Sequence, residues 1–283
     1  RRVRALAQPM RGFLRRRILW SILLLAASLT AGSAFSLWAG ASTRVAYLTG
    51  WLLFGLMVVL TAYNWFKKIP YLPLGRSEVW LEFHLYGGVF TGVLFLMHVR
   101  GRWPTGWFEI TLTILYAIVM GSGLVGIIIS RSWPKRLTAR GGEVPFERIP
   151  IVRRQLREQA EALALNSVAE AKSATIAEFY SRRLHPFFAS PQNFLSHLVE
   201  VRLPLNSLLN DLNDLNRFLN ESERKVAAQL VELVRQKDGL DYQHALQLTL
   251  RLWLFVHIPV TYSLMLWAIA HIVLVYGFSA GAR

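Results

Sequence analysis

The chain contains no cysteine in its 283 residues. This excludes disulfides, thiolate-held metals, cysteine-ligated iron–sulfur clusters and any cofactor tethered through a CxxCH motif. Acidic residues are also scarce, with 17 Asp and Glu against 32 Lys and Arg and a formal net charge of +15. A basic excess can mark nucleic-acid binding, but seven of the arginines lie within residues 1–17, with no acid among them, directly before an apolar run. That is the pattern of a juxtamembrane tail facing anionic lipid, and no nucleic-acid partner is expected. No P-loop is found, and no flavin or nicotinamide signature is read in the chain.

What the chain has in abundance is apolar sequence: 53% of its residues are hydrophobic and the mean hydropathy is +0.33. Apolar stretches cover about 18–40, 45–66, 83–99, 110–130 and 252–278, each near the roughly 20 residues that cross a hydrocarbon core. The third reaches that length only when extended back through Trp80 and Glu82. The first, preceded by Arg15, Arg16 and Arg17 and containing AGSAFS, has the outline of a signal peptide, but it is expected to be a retained anchor. The expected fold is all-α: an integral membrane bundle of five transmembrane helices with a helical cytoplasmic insertion between helices 4 and 5. The expected organisation is a basic cytoplasmic tail at 1–17, helices 1–4 over 18–130, the insertion at 131–250, helix 5 over 251–278 and a tail at 279–283.

Lysine and arginine in the connections set the orientation. Seven lie in the tail, three in 67–78 (Lys67, Lys68, Arg76) and 18 in 131–251, against Arg44 in one short connection and Arg100 and Arg102 in the other. The amino terminus is therefore expected to be cytoplasmic, in a bacterial inner membrane. Within the insertion, Leu205, Leu208, Leu209, Leu212, Leu215 and Leu219 repeat at helical spacing, and Val226, Ala227, Leu230, Val231 and Val234 continue the pattern. Asn220 with Glu223 resembles a helix start, Gly239 followed by Asp241 a stop and a restart. Residues 151–180 read as another helix, and Pro186, Pro191 and Pro204 as breaks.

Four of the seven histidines fall in apolar segments as two pairs with identical H-x13-H spacing, His84 with His98 and His257 with His271. Fourteen helical positions return to within roughly 40° of one face and advance about 21 Å. Each helix thus presents two imidazoles near opposite sides of a bilayer. Spans three and five run in the same direction, so His84 meets His257 in depth and His98 meets His271. Polar side chains within spans are costly and usually functional, and imidazole is a good iron ligand. The pattern points to two non-covalent haem b groups, each held by one histidine from each helix. Hydrogen bonding between helices, or proton relay in a transporter or channel, are the competing readings of the histidines.

Room for a macrocycle is offered by Gly87, Gly88 and Gly92 on span three and Gly121, Gly123 and Gly126 on span four, which close helix packing would use equally well. Haem propionates call for basic partners, and Arg100 and Arg102 suit the outer haem, Arg76 and Arg251 the inner. Glu82 is a candidate quinone or proton site. Trp80, Trp103, Trp107 and Trp253 read as interface anchors, and His185, His197 and His244 as packing histidines of the insertion.

These histidine spans resemble the bis-histidine di-haem membrane cytochromes b, a class that includes cytochrome b and b6 and the ferric-reductase-like transmembrane domain. Placement on spans three and five, with a cytoplasmic connection after span four, is closer to the second group. The PEWY quinol motif is not found, and the insertion has no counterpart in the class. The resemblance implies a subunit that carries electrons across the membrane between a quinone pool and other redox subunits, such as cytochrome c, iron–sulfur or flavin proteins. It also implies axial roles for His84, His98, His257 and His271. A non-redox membrane anchor or assembly subunit, or a ferric-reductase-type electron donor, are the alternatives.

Overall fold

The computed structural model describes residues 2–38, 44–66, 77–138, 144–171 and 174–280. All regular structure among them is helical. In chain order the elements are α1 (Arg2–Trp38), α2 (Arg44–Phe66), α3 (Ser77–Val99), α4 (Trp107–Thr138), α5 (Ile149–Ala171), α6 (Thr175–Phe179), α7 (His185–Ala189), α8 (Phe194–Leu198), α9 (Leu203–Leu215) and α10 (Glu221–Ala280). Single-turn segments fill Phe146–Arg148, Tyr180–Leu184 and Asn216–Phe218. Five helices, α1 to α4 and α10, are long and apolar enough to cross a membrane. Their outer faces leave residues such as Leu29, Leu96 and Leu266 exposed, a surface that suits lipid and not water. A helix is the form such segments must take in hydrocarbon, because it satisfies every interior N–H and C=O within itself. Their few hydroxyls follow the same rule: Thr49, Thr61, Thr111 and Ser263 each donate to the carbonyl four residues back.

The chain divides into two compact units, residues 1–128 with 254–283 and residues 129–253. In the first unit α3 packs against both α1 and α2. Its core gathers Leu53, Leu94, Tyr116 and Leu264. The Tyr116 hydroxyl donates to Thr91 Oγ1 at 3.1 Å, Thr91 donates to the Gly88 carbonyl at 2.7 Å, and Phe95 stacks on Tyr116 with ring centroids 4.1 Å apart.

The second unit has a core of its own, built from Ile149, Leu184, Phe188, Leu212, Leu230 and Val234 among others. The expected helix start at Asn220 is present as a reciprocal cap. Asn220 Oδ1 accepts from the Glu223 N–H at 2.9 Å, and Glu223 Oε2 accepts from the Asn220 N–H at 3.1 Å. The breaks at Pro191 and Pro204 are also seen, between α7 and α8 and at the start of α9, but Pro186 interrupts nothing, for the chain is helical from Thr175 through the wide turn Tyr180–Leu184 to Ala189.

Two expected boundaries differ. Gly239 and Asp241 do not stop a helix, for α10 runs unbroken over 60 residues. Asp241 accepts from Lys237 Nζ, one turn earlier, at 2.5 Å and from the Gln192 N–H at 2.9 Å, so it is consumed by packing and not by a cap. Likewise α4 continues past residue 130, through Pro134, to Thr138. Ile129, Trp133 and Leu137 form one stripe buried against Tyr242 and Leu246, and this packing offsets the backbone bond that proline cannot make.

Lys237 is fully buried, donates to the Ser190 carbonyl at 2.8 Å and sits 4.1 Å over the Phe187 ring. Burial pushes its ammonium below the ordinary lysine range, with Asp241 pulling the other way. Unfolding restores the ordinary value, so between the two values the unfolded chain binds more protons and this group's contribution to stability rises with pH. Lys237→Met is expected to flatten the rise in protection across residues 221–250 as pH climbs toward the ordinary lysine range, read by hydrogen exchange at corrected intrinsic rates.

Candidate functional site

The histidines of α3 and α10 come together in the first unit. The His98 and His271 rings lie 6.3 Å apart, centroid to centroid, at an interplanar angle of 89°. His84 and His257 are near enough for their charges to interact. Among the described residues no cluster of three or more His, Asp or Glu could enclose a metal ion, so any metal here takes two protein ligands at most from these pairs and must bring its remaining donors with it.

Each ring nitrogen has a definite chemical state where its partner is a pure acceptor. His98 Nδ1 lies 3.1 Å from the Ala46 carbonyl, and since a carbonyl can only accept, Nδ1 carries the proton and Nε2 the lone pair. His257 Nδ1 lies 2.8 Å from Ser122 Oγ, and the same hydroxyl lies 3.0 Å from the Val119 carbonyl. Ser122 can accept from this nitrogen or donate to it. His84 Nδ1 is buried without a hydrogen-bond partner, and the Tyr63 ring lies 5.1 Å away. His271 lies nearly parallel to Phe108, with centroids 6.3 Å apart. Outer partners of this kind are what orient metal-bound imidazoles.

Beside His98 and His271 is a cavity of about 320 Å³ with a mainly apolar wall, including Leu53, Phe54, Met57, Phe95, Leu264 and Val275. Gly50 forms part of that wall, and a Cβ at this position would stand 2.8 Å from His98 Cε1. Gly92 is similarly close-packed, its notional Cβ 2.8 Å from Met120 Cε, and that of Gly123 lies 3.8 Å from His257 Cε1. Gly88 and Gly121 face open space.

The remaining candidates are dispersed. Glu82 Oε1 pairs with Arg16 Nε of α1 at 3.6 Å, while its Oε2 is buried without a hydrogen-bond partner. Arg16 also meets Glu78 at 2.8 Å. Trp20 of α1 stacks on Tyr86 one turn further along α3, at 6.0 Å. Arg100 and Arg102 are exposed in the α3–α4 turn, Arg100 with a left-handed φ of 53°. Arg251 belongs to the second unit, bonded to Glu147 and lying 4.1 Å over the Phe146 ring. Arg76 lies outside the described residues. His197 and His244 are engaged in the second unit, His197 buried 3.8 Å from Asp238 and His244 stacked on Phe146 at 5.5 Å.

Two letter patterns in the sequence have no matching structure. Gly121, Gly123 and Gly126 have GxGxxG spacing, yet they lie inside continuous α4. Gly277, Ser279 and Gly281 have GxSxG spacing, but the first two lie in α10 and Gly281 is outside the described residues. A dinucleotide turn or a nucleophile elbow needs a strand leading into a helix, and the described residues contain no strand.

Ser122, Gly50 and the carbonyl of Ala46 were not singled out by sequence for this site. Ser122 alone had a usable signal, a lone hydroxyl between two glycines of an apolar span. No protein-family model, curated protein or solved structure matches the chain.

Proposed function

We propose that the chain is a multi-pass membrane cytochrome b subunit, in which His98 with His271 and His84 with His257 are the axial ligands of two haem b groups. The arrangement of His98 and His271 carries this reading. A metal bonded to one nitrogen of each ring at about 2 Å, with each ring centre about 1 Å beyond, sets the centroids about 6 Å apart, against the 6.3 Å observed. The proton on Nδ1 of His98 leaves Nε2 as its ligating nitrogen, and the buried Nδ1 of His84 is a polar atom in want of a partner. The apolar wall beside His98 and His271 suits a macrocycle.

Haem supplies reversible one-electron chemistry when bound. The residues of this chain hold it and set its surroundings: Ala46 and Ser122 orient the imidazoles of His98 and His257, the apolar core excludes water, and Gly50 keeps the wall clear. Electrons would pass between a membrane quinone and a separate redox subunit across a bacterial inner membrane. Glu82, held by Arg16 near His84, is proposed as the proton-exchanging group beside the quinone. Arg100 and Arg102 are proposed to meet the propionates of the outer haem, and Arg76 those of the inner.

The test is a dithionite-reduced minus oxidised spectrum of the detergent-purified chain, with a pyridine haemochrome titration after expression with ample haem supply. Two b haems per chain are expected, and a colourless protein would overturn the reading in favour of a non-redox anchor. A finer result is expected from Gly50→Ala. Its methyl group forces the His98 ring away from the Ala46 carbonyl, and loss of such an outer partner typically costs 10- to 100-fold in metal affinity. Haem stoichiometry under dilution should then fall toward one per chain.

A further inference from the structure

The second unit carries a short apolar segment that its own core does not use. Leu195, Val199 and Leu203 are 74%, 70% and 74% exposed, and Val201 between them is exposed as well. The segment is nevertheless rigidly built. Val201 N–H bonds to the Ser196 carbonyl at 2.8 Å and Glu200 N–H to the His197 carbonyl at 3.3 Å, closing α8 with Glu200 in the left-handed position usually given to glycine. Glu200 has a φ of 60°. Its carboxylate repays that conformation by taking the Arg136 guanidinium at 2.8 Å and the Tyr242 hydroxyl at 3.0 Å.

Arg136 also fixes the depth of the segment. It donates to the carbonyls of His197 and Leu198 at 3.0 and 2.9 Å. It stands on α4 itself, six residues beyond Ser130, where the apolar stretch ends, which is about 9 Å along the helix axis. Headgroups extend about 5–8 Å beyond the hydrocarbon on each side, which puts Arg136 at their outer edge. Exposed Arg131 on α4 and Arg202 in the segment add positive charge, and the segment's one acid, Glu200, is already matched by Arg136.

We propose that residues 195–203 form a membrane-dipping element, its Leu195, Val199 and Leu203 side chains seated among the anionic headgroups of the leaflet at the α4 carboxyl end. Apolar side chains flanked by arginine are the combination that binds an anionic interface. The proposal rests on the membrane reading of α4 and is independent of haem.

Because the chain has no cysteine, single labels are unambiguous. Val199→Cys, Leu203→Cys, Asp214→Cys and Ile118→Cys are each spin-labelled in the full chain and reconstituted into vesicles of phosphatidylcholine and phosphatidylglycerol. Accessibility to oxygen, which concentrates in lipid, is compared with accessibility to a water-soluble nickel chelate. The oxygen-to-nickel ratio at 199 and 203 is expected to exceed that at 214 by about threefold or more, with the highest ratio at 118. Ratios at 199 and 203 equal to that at 214 would overturn the proposal and leave this surface to a protein partner. A water-like ratio at 118 would overturn the membrane reading of α4 and the proposal with it.

Discussion

On the haem reading proposed above, His98→Ala is expected to bind one haem, against the two expected of the native chain. The imidazole makes one polar contact, to the Ala46 carbonyl, and faces His271 across 6.3 Å. Alanine keeps the helix and removes both. The core of the first unit, formed by Leu53, Leu94, Tyr116 and Leu264, does not include His98, so the cost to folding should stay near the 1 kcal/mol common for single substitutions. Loss of haem without loss of helicity is therefore the signature to seek, by pyridine haemochrome and circular dichroism on the same sample. His257→Ala should remove the other haem, and the double variant both. Retention of two haems in His98→Ala would remove this residue from the ligand set.

The second large effect is expected in the other unit. Asp241→Ala should destabilise residues 129–253 by about 3–5 kcal/mol, the usual cost of leaving a buried charge without its partner. Lys237 is fully enclosed, with Asp241 at 2.5 Å, and Arg153 lies 3.7 Å from the same carboxylate. Removing the acid leaves two cations facing each other and the Gln192 N–H without its acceptor. Hydrogen exchange across residues 221–250 should show the loss, and the double variant Lys237→Met with Asp241→Leu should recover much of it, since apolar replacement of a buried pair is often neutral or stabilising. An unchanged exchange profile in Asp241→Ala would show that the pair adds nothing to this unit.

The architecture was legible where hydrophobic length and local caps decide it. Each of the five long apolar runs lies, over its described residues, within a helix long and apolar enough to span, and the Asn220 cap was visible because both of its bonds join residues three apart. What escaped reading depends on partners remote in sequence. Gly239 and Asp241 carry the letters of a helix stop, yet Ser190 and Gln192, some fifty positions earlier, bind Lys237 and Asp241 inside a core. The end of α4 was misplaced for the same reason, since its last turns are held by Tyr242 and Leu246.

At the candidate site the histidines announced themselves by their spacing. Their orienting partners did not, because a carbonyl such as that of Ala46 belongs to every residue and leaves no letter in the sequence. The pairing of Arg16 with Glu82 is equally silent, joining α1 to α3 across 66 positions. Gly50 has a role only because the His98 ring, from another helix, lies against it.

For a haem bound as proposed, the perpendicular setting of the His98 and His271 rings has a magnetic consequence. When two axial imidazoles share a plane, their π orbitals act on one iron d orbital and split it from its neighbour. At an interplanar angle of 89° each ring acts on a different one, and the pair stays nearly degenerate. Axial geometry is among the levers by which a protein sets haem electronics. An oxidised haem held between these two rings would accordingly give a strongly anisotropic low-spin resonance, with a single dominant low-field feature in place of the three-line rhombic spectrum of parallel imidazoles.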